Sequence, residues 1–155
     1  MTSYTVIERS RTITAPADSI LARIVNYHDW VDWSPWEGLD PDLQRTYTGP
    51  DSGVGTAYEW SGNKKAGAGR MEVTSVSDRL VEMDLTFTRP FKSASLTTFE
   101  MSPGQTAETT DVVWKVKTPK TLMTRIAGVF MNFDKTVGAD LDKGLTQLDE
   151  LSRKK

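Results

Sequence analysis

Apolar side chains recur along this chain at two spacings, and the switches between them mark out the elements. Residues 4–14 alternate, with Tyr4, Val6 and Ile13 among polar neighbours, and predict a first strand that stops at Ala15-Pro16. Proline fits the first turn of a helix, and Ile20, Leu21, Ile24 and Val25 follow at helical spacing, so a helix over about 16–27 comes next. From about 43 to 117 the period becomes two, in runs at 43–48, 54–61, 68–76, 80–89, 93–101 and 109–117. Turn residues separate the runs: Gly-Pro-Asp-Ser-Gly (49–53), Ser-Gly-Asn (61–63), Ser-Asp-Arg (77–79), Arg-Pro (89–90) and Ser-Pro-Gly (102–104). Such short connections predict an antiparallel meander. From about 120 to 152 a helical stripe returns, through Leu122, Met123, Ile126, Phe130, Phe133, Val137, Leu141, Leu145, Leu148 and Leu151. Gly128 or Asn132 is a candidate break within it.

Successive side chains of a strand point to opposite faces, so parity sorts the meander. One face collects Tyr58 and Trp60, Met71 and Val73, then Val81, Met83, Leu85 and Phe87, then Val112, Trp114 and Val116. Glu59, Glu72, Glu82, Asp84 and Asp111 fall on the other. An apolar sheet face has to be covered, and the C-terminal stripe is the partner long enough to cover it. The expected class is therefore α+β, a curved antiparallel sheet packed on a long C-terminal helix, in one domain over 1–155.

Composition narrows the function more than the fold. Hydrophobic residues make up 37% and charged residues 26%, an ordinary globular balance. Net charge is −2, and the basic cluster Arg153-Lys154-Lys155 reads as a helix end, so nucleic acid is not an expected partner. The N-terminus presents neither a secretory pattern nor a lipid anchor, stable membrane insertion is not expected, and a cytoplasmic location is the default expectation. With no Cys and one His, thiolate chemistry is excluded and a metal site is not expected.

Three of the five tryptophans, Trp30, Trp33 and Trp36, fall within seven residues before a Gly/Asp/Pro-rich loop, where indoles require an apolar neighbourhood. The wall of the predicted core is rich in Met, Trp and Phe, and Gly128, Gly138 and Gly144 thin the helix. Those features suit either an internal cavity or a plain core.

The order of elements, with Trp33-Ser34-Pro35-Trp36-Glu37, Gly49-Pro50 through Gly53-Val54-Gly55, Tyr58-Glu59-Trp60-Ser61-Gly62-Asn63 and Gly67-Ala68-Gly69-Arg70-Met71-Glu72, resembles the polyketide cyclase/dehydrase branch of the START-like (SRPBCC) superfamily along the whole chain. The resemblance implies a helix-grip fold with an internal apolar cavity for lipids, sterols, polyketides or other hydrophobic ligands; the expected binding function needs no cofactor. It does not imply one reaction, since members range from cyclases to carriers and chaperone-ATPase activators.

The candidate ligand-binding residues are Trp33, Trp36, Tyr58, Trp60, Met71, Met83, Leu85, Phe87, Arg89, Phe99, Trp114, Phe130 and Phe133. The aromatic members divide between cavity lining and plain core. Arg89 continues the inward parity of Phe87, where a guanidinium at the cavity rim would suit a carboxylate or phosphate; a solvated strand-end arginine is the alternative. His28, beside Asp29, is a candidate base at a pocket mouth or a helix-terminal histidine held by the dipole. Strand carboxylates on the solvent face argue for binding of a small hydrophobic molecule over catalysis. If the protein is an enzyme, the reading is a cyclase or dehydratase in which Tyr58, His28 or Arg89 polarises a carbonyl. A protein-interaction module is the third reading, and it predicts a filled core with an exposed apolar patch.

Overall fold

The computed structural model describes residues 4–35, 40–63, 67–89, 92–119 and 133–153. Seven strands form one antiparallel sheet: β1 (Tyr4–Ile13), β2 (Gln44–Thr48), β3 (Ala57–Ser61), β4 (Ala68–Val76), β5 (Leu80–Arg89), β6 (Ser93–Pro103) and β7 (Thr110–Pro119). Their order, β1-β7-β6-β5-β4-β3-β2, is the expected meander, with the N-terminal strand closing onto its last member. Register runs from Tyr4 opposite Pro119 to Ile13 opposite Thr110. The Thr110 hydroxyl clips the end of that pair by donating to the Ala15 carbonyl at 2.8 Å.

The expected first helix is shorter than 16–27, and a separate 3-10 turn follows it. α1 (Ala17–Ile24) starts after Pro16 and buries Ile20 and Ile24, and the 3-10 turn η1 (Asp29–Asp32) buries Trp30. His28 therefore lies beyond the C-terminus of α1, at the N-terminal edge of η1. Its backbone N–H donates to Asn26 Oδ1 and its exposed ring stacks on Tyr47 with centroids 3.9 Å apart, which replaces the helix-dipole reading. The loop before β3 turns on glycines in the left-handed region. A Cβ at Gly49 would fall on the Gly55 carbonyl, so only glycine fits there.

The C-terminal helix, here α2, is described as Phe133–Arg153, and the rest of the predicted helix, with Gly128 and Asn132, lies outside the described residues. Leu141, Leu145 and Leu148, at helical spacing, are fully buried against the sheet. Asp149 fixes the helix to β1. It is 1% exposed, accepts the Thr14 backbone N–H at 3.0 Å and the Arg11 guanidinium at 3.0 Å, and pairs with Arg153 one turn on at 3.1 Å. Burial pushes its carboxyl up, but the Thr14 N–H, Arg153 and Arg11 together outweigh burial and hold it below the usual carboxylate range.

The helix glycines do not hollow the core. A Cβ at Gly144 would lie 2.7 Å from the Trp114 ring and 2.9 Å from Pro35, and one at Gly138 would fall on the Arg9 guanidinium. Both positions admit a neighbour at close range, so the space that glycine leaves is already occupied.

Candidate functional site

Parity holds over most of the sheet. Glu59 and Glu72 pair with Arg70 at 3.6 and 2.7 Å, and Glu100 with Lys115 at 2.8 Å, all on the outer face. The inner face carries the apolar rows, and its two ends differ.

At one end, which we term closed, Trp30, Trp33, Phe99 and Trp114 pack edge to face or stacked, with Trp30–Trp33 centroids 4.4 Å apart, Trp33–Trp114 5.7 Å and Phe99–Trp114 4.7 Å. All are buried, together with Met83, Val73, Val81 and Val112. The Trp30 indole donates to the Ile24 carbonyl at 2.8 Å, and Gln147 of α2 donates to the Trp33 carbonyl at 2.8 Å, so the tryptophan loop is fastened to the helix. Of the expected ligand-binding residues, Trp33, Met83, Phe99 and Trp114 belong to this packed end.

At the other end, which we term open, Tyr58, Trp60 and Phe87 stand side by side, with centroids 5.9 and 5.4 Å apart, and stay only partly buried. Met71 and Leu85 lie behind them, opposite Tyr58 and each other in the register. The Trp60 ring covers Gly69, its cross-strand partner, at the distance where a side chain would sit: a Cβ there would be 2.7 Å from the indole. Tyr47 stacks between His28 and Tyr58, at 3.9 and 5.3 Å, and Tyr27 links Tyr58 to Trp30, at 6.0 and 5.4 Å. Trp36 and Phe130 lie outside the described residues, as does the side chain of Phe133.

Arg89 departs from the expectation. A β-bulge between Ala68 and Gly69 sets Phe87 opposite Gly69 but Arg89 opposite Ala68, so alternation breaks at Thr88. Arg89 consequently lies on the outer face, where its guanidinium donates to Ser61 Oγ at 2.7 Å and to the Gly62 carbonyl at 3.1 Å. It lines, with Thr46, Glu59, Arg70, Thr86 and Thr88, an open groove of about 510 Å³. Trp60 and Gly69 also border that groove, but it opens among hydroxyl and charged side chains of the outer face and is not the internal apolar cavity of the expectation.

On β6 the inner face also takes up hydroxyl side chains that were not among the expected wall residues. Counting back from Phe99 brings Thr97 and Ser95 onto the apolar face, beside Thr118 of β7. Thr97 and Thr118 are 2% and 3% exposed, and the Ser95 and Thr118 hydroxyls bond each other at 3.0 Å. Among the described residues the Tyr27 hydroxyl, Trp33 Nε1, Thr97 Oγ1 and Ser152 Oγ are buried polar atoms without a hydrogen-bond partner. Burial pushes the Tyr27 phenol far above the usual range, Glu72 and Asp84 push the same way and Arg70 opposes them, so it stays neutral.

A sheet with this order, gripping one C-terminal helix with an aromatic inner face, matches a family model described as polyketide cyclase/dehydrase and lipid transport over residues 4–153. The chain belongs to that family. Solved structures of the polyketide cyclase/dehydrase fold align along its length. A Chromobacterium violaceum protein is similar at 12% identity and a TM-score of 0.67, over 97% of this chain and 98% of that one. DynU16, a protein of the dynemicin biosynthetic locus, is similar at 12% identity and 0.64, over 96% of this chain and 47% of its own length. The Aha1 dimer from Colwellia psychrerythraea is similar at 14% identity and 0.65, over 94% of both chains. At such identities the likeness is one of fold, and the fold is helix-grip. No curated protein sequence matches the chain. Among the described residues no helix is long and apolar enough to cross a membrane.

Proposed function

We propose that this protein binds a small hydrophobic molecule against the open end of the inner face and carries or senses it without a cofactor. The observation that supports this reading is the partial burial of Tyr58, Trp60 and Phe87 on a face that is elsewhere dry. Three adjacent aromatics give up a large apolar area when covered, and an apolar ligand is the covering that lowers their free energy most. The family's description as lipid transport agrees with a carrier. Met71 and Leu85 form the floor beneath the aromatics, and the closed end acts as a rigid stop that fixes ligand length.

Catalysis is the second reading, favoured by the biosynthetic locus of DynU16. Its weakness is chemical. The outer-face ion pairs engage Glu59, Glu72 and Glu100, Arg89 faces the outer groove, and of the other two expected polarising groups Tyr58 stands in the aromatic row while His28 is exposed at its edge, stacked on Tyr47.

Native mass spectrometry of the full chain and tryptophan-fluorescence titration test the reading together. A co-purifying organic molecule, or saturable quenching by an apolar probe such as 2-ethylnaphthalene that disappears in Trp60→Ala, supports it. Apoprotein alone, with no thermal shift across lipids and aromatic polyketides, overturns it.

A further inference from the structure

We infer that the groove on the outer face is a second binding site, one that takes a small hydroxylated anion with its carboxylate or phosphate on Arg89. The inference does not depend on ligand binding at the inner face, because it rests on polar groups of the outer face alone.

The groove, about 510 Å³, owes its shape to the bulge at Thr88. With Arg89 turned outward opposite Ala68, its guanidinium spans β4 to reach the end of β3, where Nη2 donates to Ser61 Oγ at 2.7 Å and to the Gly62 carbonyl at 3.1 Å. Ala68 lies between, in register with both Arg89 and Ser61, and its methyl is a floor that a larger side chain would fill. On the next row of the same face Thr46, Glu59, Arg70 and Thr86 stand opposite one another and make the far wall.

The charge on Arg89 is held in place but not neutralised. Arg9 pairs with Asp142 at 3.3 Å, Arg11 with Asp149 at 3.0 Å, Arg70 with Glu72 at 2.7 Å and Arg153 with Asp149 at 3.1 Å. Arg89 has two neutral oxygens instead, both on Nη2, and its Nε and Nη1 hydrogens have no partner among the described residues. A guanidinium anchored by neutral acceptors has already given up side-chain freedom, so an oxyanion meeting its unused donors adds charge-assisted bonds at reduced entropic cost. Glu59 does not take that place. It pairs with Arg70 at 3.6 Å and stands two positions from Ser61 along β3, roughly 7 Å away. Its carboxylate, with the hydroxyls of Thr46, Thr86 and Thr88, instead presents acceptors to hydroxyl groups on the body of the ligand. An apolar body would gain little from such a lining, in contrast to the inner face.

Isothermal titration calorimetry on the full chain, with amide NMR to locate the site, tests this with gluconate, glycerol phosphate, glucose and acetate. Gluconate and glycerol phosphate are expected to bind saturably and to shift the amides of Ser61, Gly69 and Thr88. Glucose, which lacks the charge, and acetate, which lacks the hydroxyls, are each expected to bind more weakly than gluconate, glucose by at least about tenfold. Arg89→Gln is expected to weaken gluconate at least about tenfold, as the loss of a charge-assisted bond requires. Ala68→Leu, which fills the floor without changing charge, is expected to weaken it comparably. Arg79→Gln removes the same charge from an exposed arginine outside the groove and is expected to leave affinity within about twofold of wild type. A wild type that binds neither gluconate nor glycerol phosphate, glucose or acetate binding as tightly as gluconate, amide shifts away from the groove, or equal effects of Arg79→Gln and Arg89→Gln overturns the site. Each of these outcomes leaves the inner face untouched, since that reading is tested by the apolar probe.

Discussion

The two ends of the inner sheet face are made of the same residue types and do opposite things. At the closed end, Trp30, Trp33, Phe99 and Trp114 meet Leu141, Leu145 and Leu148 of α2, and each side chain is at most 3% exposed. At the open end, Tyr58, Trp60 and Phe87 form a comparable aromatic row that remains partly exposed. Aromatic content thus does not distinguish core from site. What distinguishes them is the covering: α2 and the tryptophan loop, fastened by Gln147 and relieved of side-chain bulk at Gly144, seal one end.

If the closed end is the structural half, its disruption has to cost stability. Leu145→Ala is expected to lower unfolding free energy by about 2–5 kcal/mol, read by urea denaturation, through lost burial and the cavity left behind. Asp149→Asn comes next at about 1.5–3 kcal/mol, since the Arg11, Arg153 and Thr14 donors lose a charged acceptor. This variant also carries a pH signature. A carboxyl held below its unfolded value contributes stability above the ordinary carboxylate range, and that contribution disappears as pH falls through the folded value. Wild type should therefore lose stability on acidification more steeply than Asp149→Asn below about pH 4. Gly144→Ala is expected to cost about 1–3 kcal/mol by overpacking against Trp114 and Pro35, partly offset by about 1 kcal/mol of gained helix propensity.

The open end should behave in the reverse way. Trp60→Ala is expected to change stability by about 1 kcal/mol or less, because its ring is only partly buried, yet to weaken binding of an apolar probe at least about tenfold. A large stability loss with unchanged binding would erase the contrast between the ends. The smallest expected effect is at Arg89: Arg89→Ala should leave affinity for 2-ethylnaphthalene within about twofold of wild type, since its guanidinium is engaged on the outer face by Ser61 Oγ and the Gly62 carbonyl. A larger loss would mean that the two faces communicate.

The alternation of Val81, Met83, Leu85 and Phe87 was sufficient to read the sheet, its meander order and its inner wall, because one buried face imposes period two on every strand. Reading stopped where alternation stops. The bulge opposite Gly69 has no signature in β5 alone, so parity carried Arg89 to the wrong side. The glycines of α2 were legible as missing bulk, but whether a neighbour fills that space depends on Trp114 and Arg9, more than twenty residues away in sequence. Division of the aromatics into packed and open sets was likewise invisible, since it depends on which of them the helix reaches. Thr97 could have been found by counting from Phe99. Tyr27 could not, because nothing local indicates that its hydroxyl is left unpaired.

The bulge beside Gly69 also makes the address of Arg89 a property of the neighbouring strand. One additional residue inserted between Ala68 and Gly69 would restore the alternation of β5 and swing the guanidinium from the outer groove into the aromatic row, with β5 itself unaltered. A three-nucleotide insertion in the stretch encoding β4 would thereby place a fixed positive charge on the face that holds the aromatics. The face on which Arg89 sits is thus one indel away from change, without any substitution in β5.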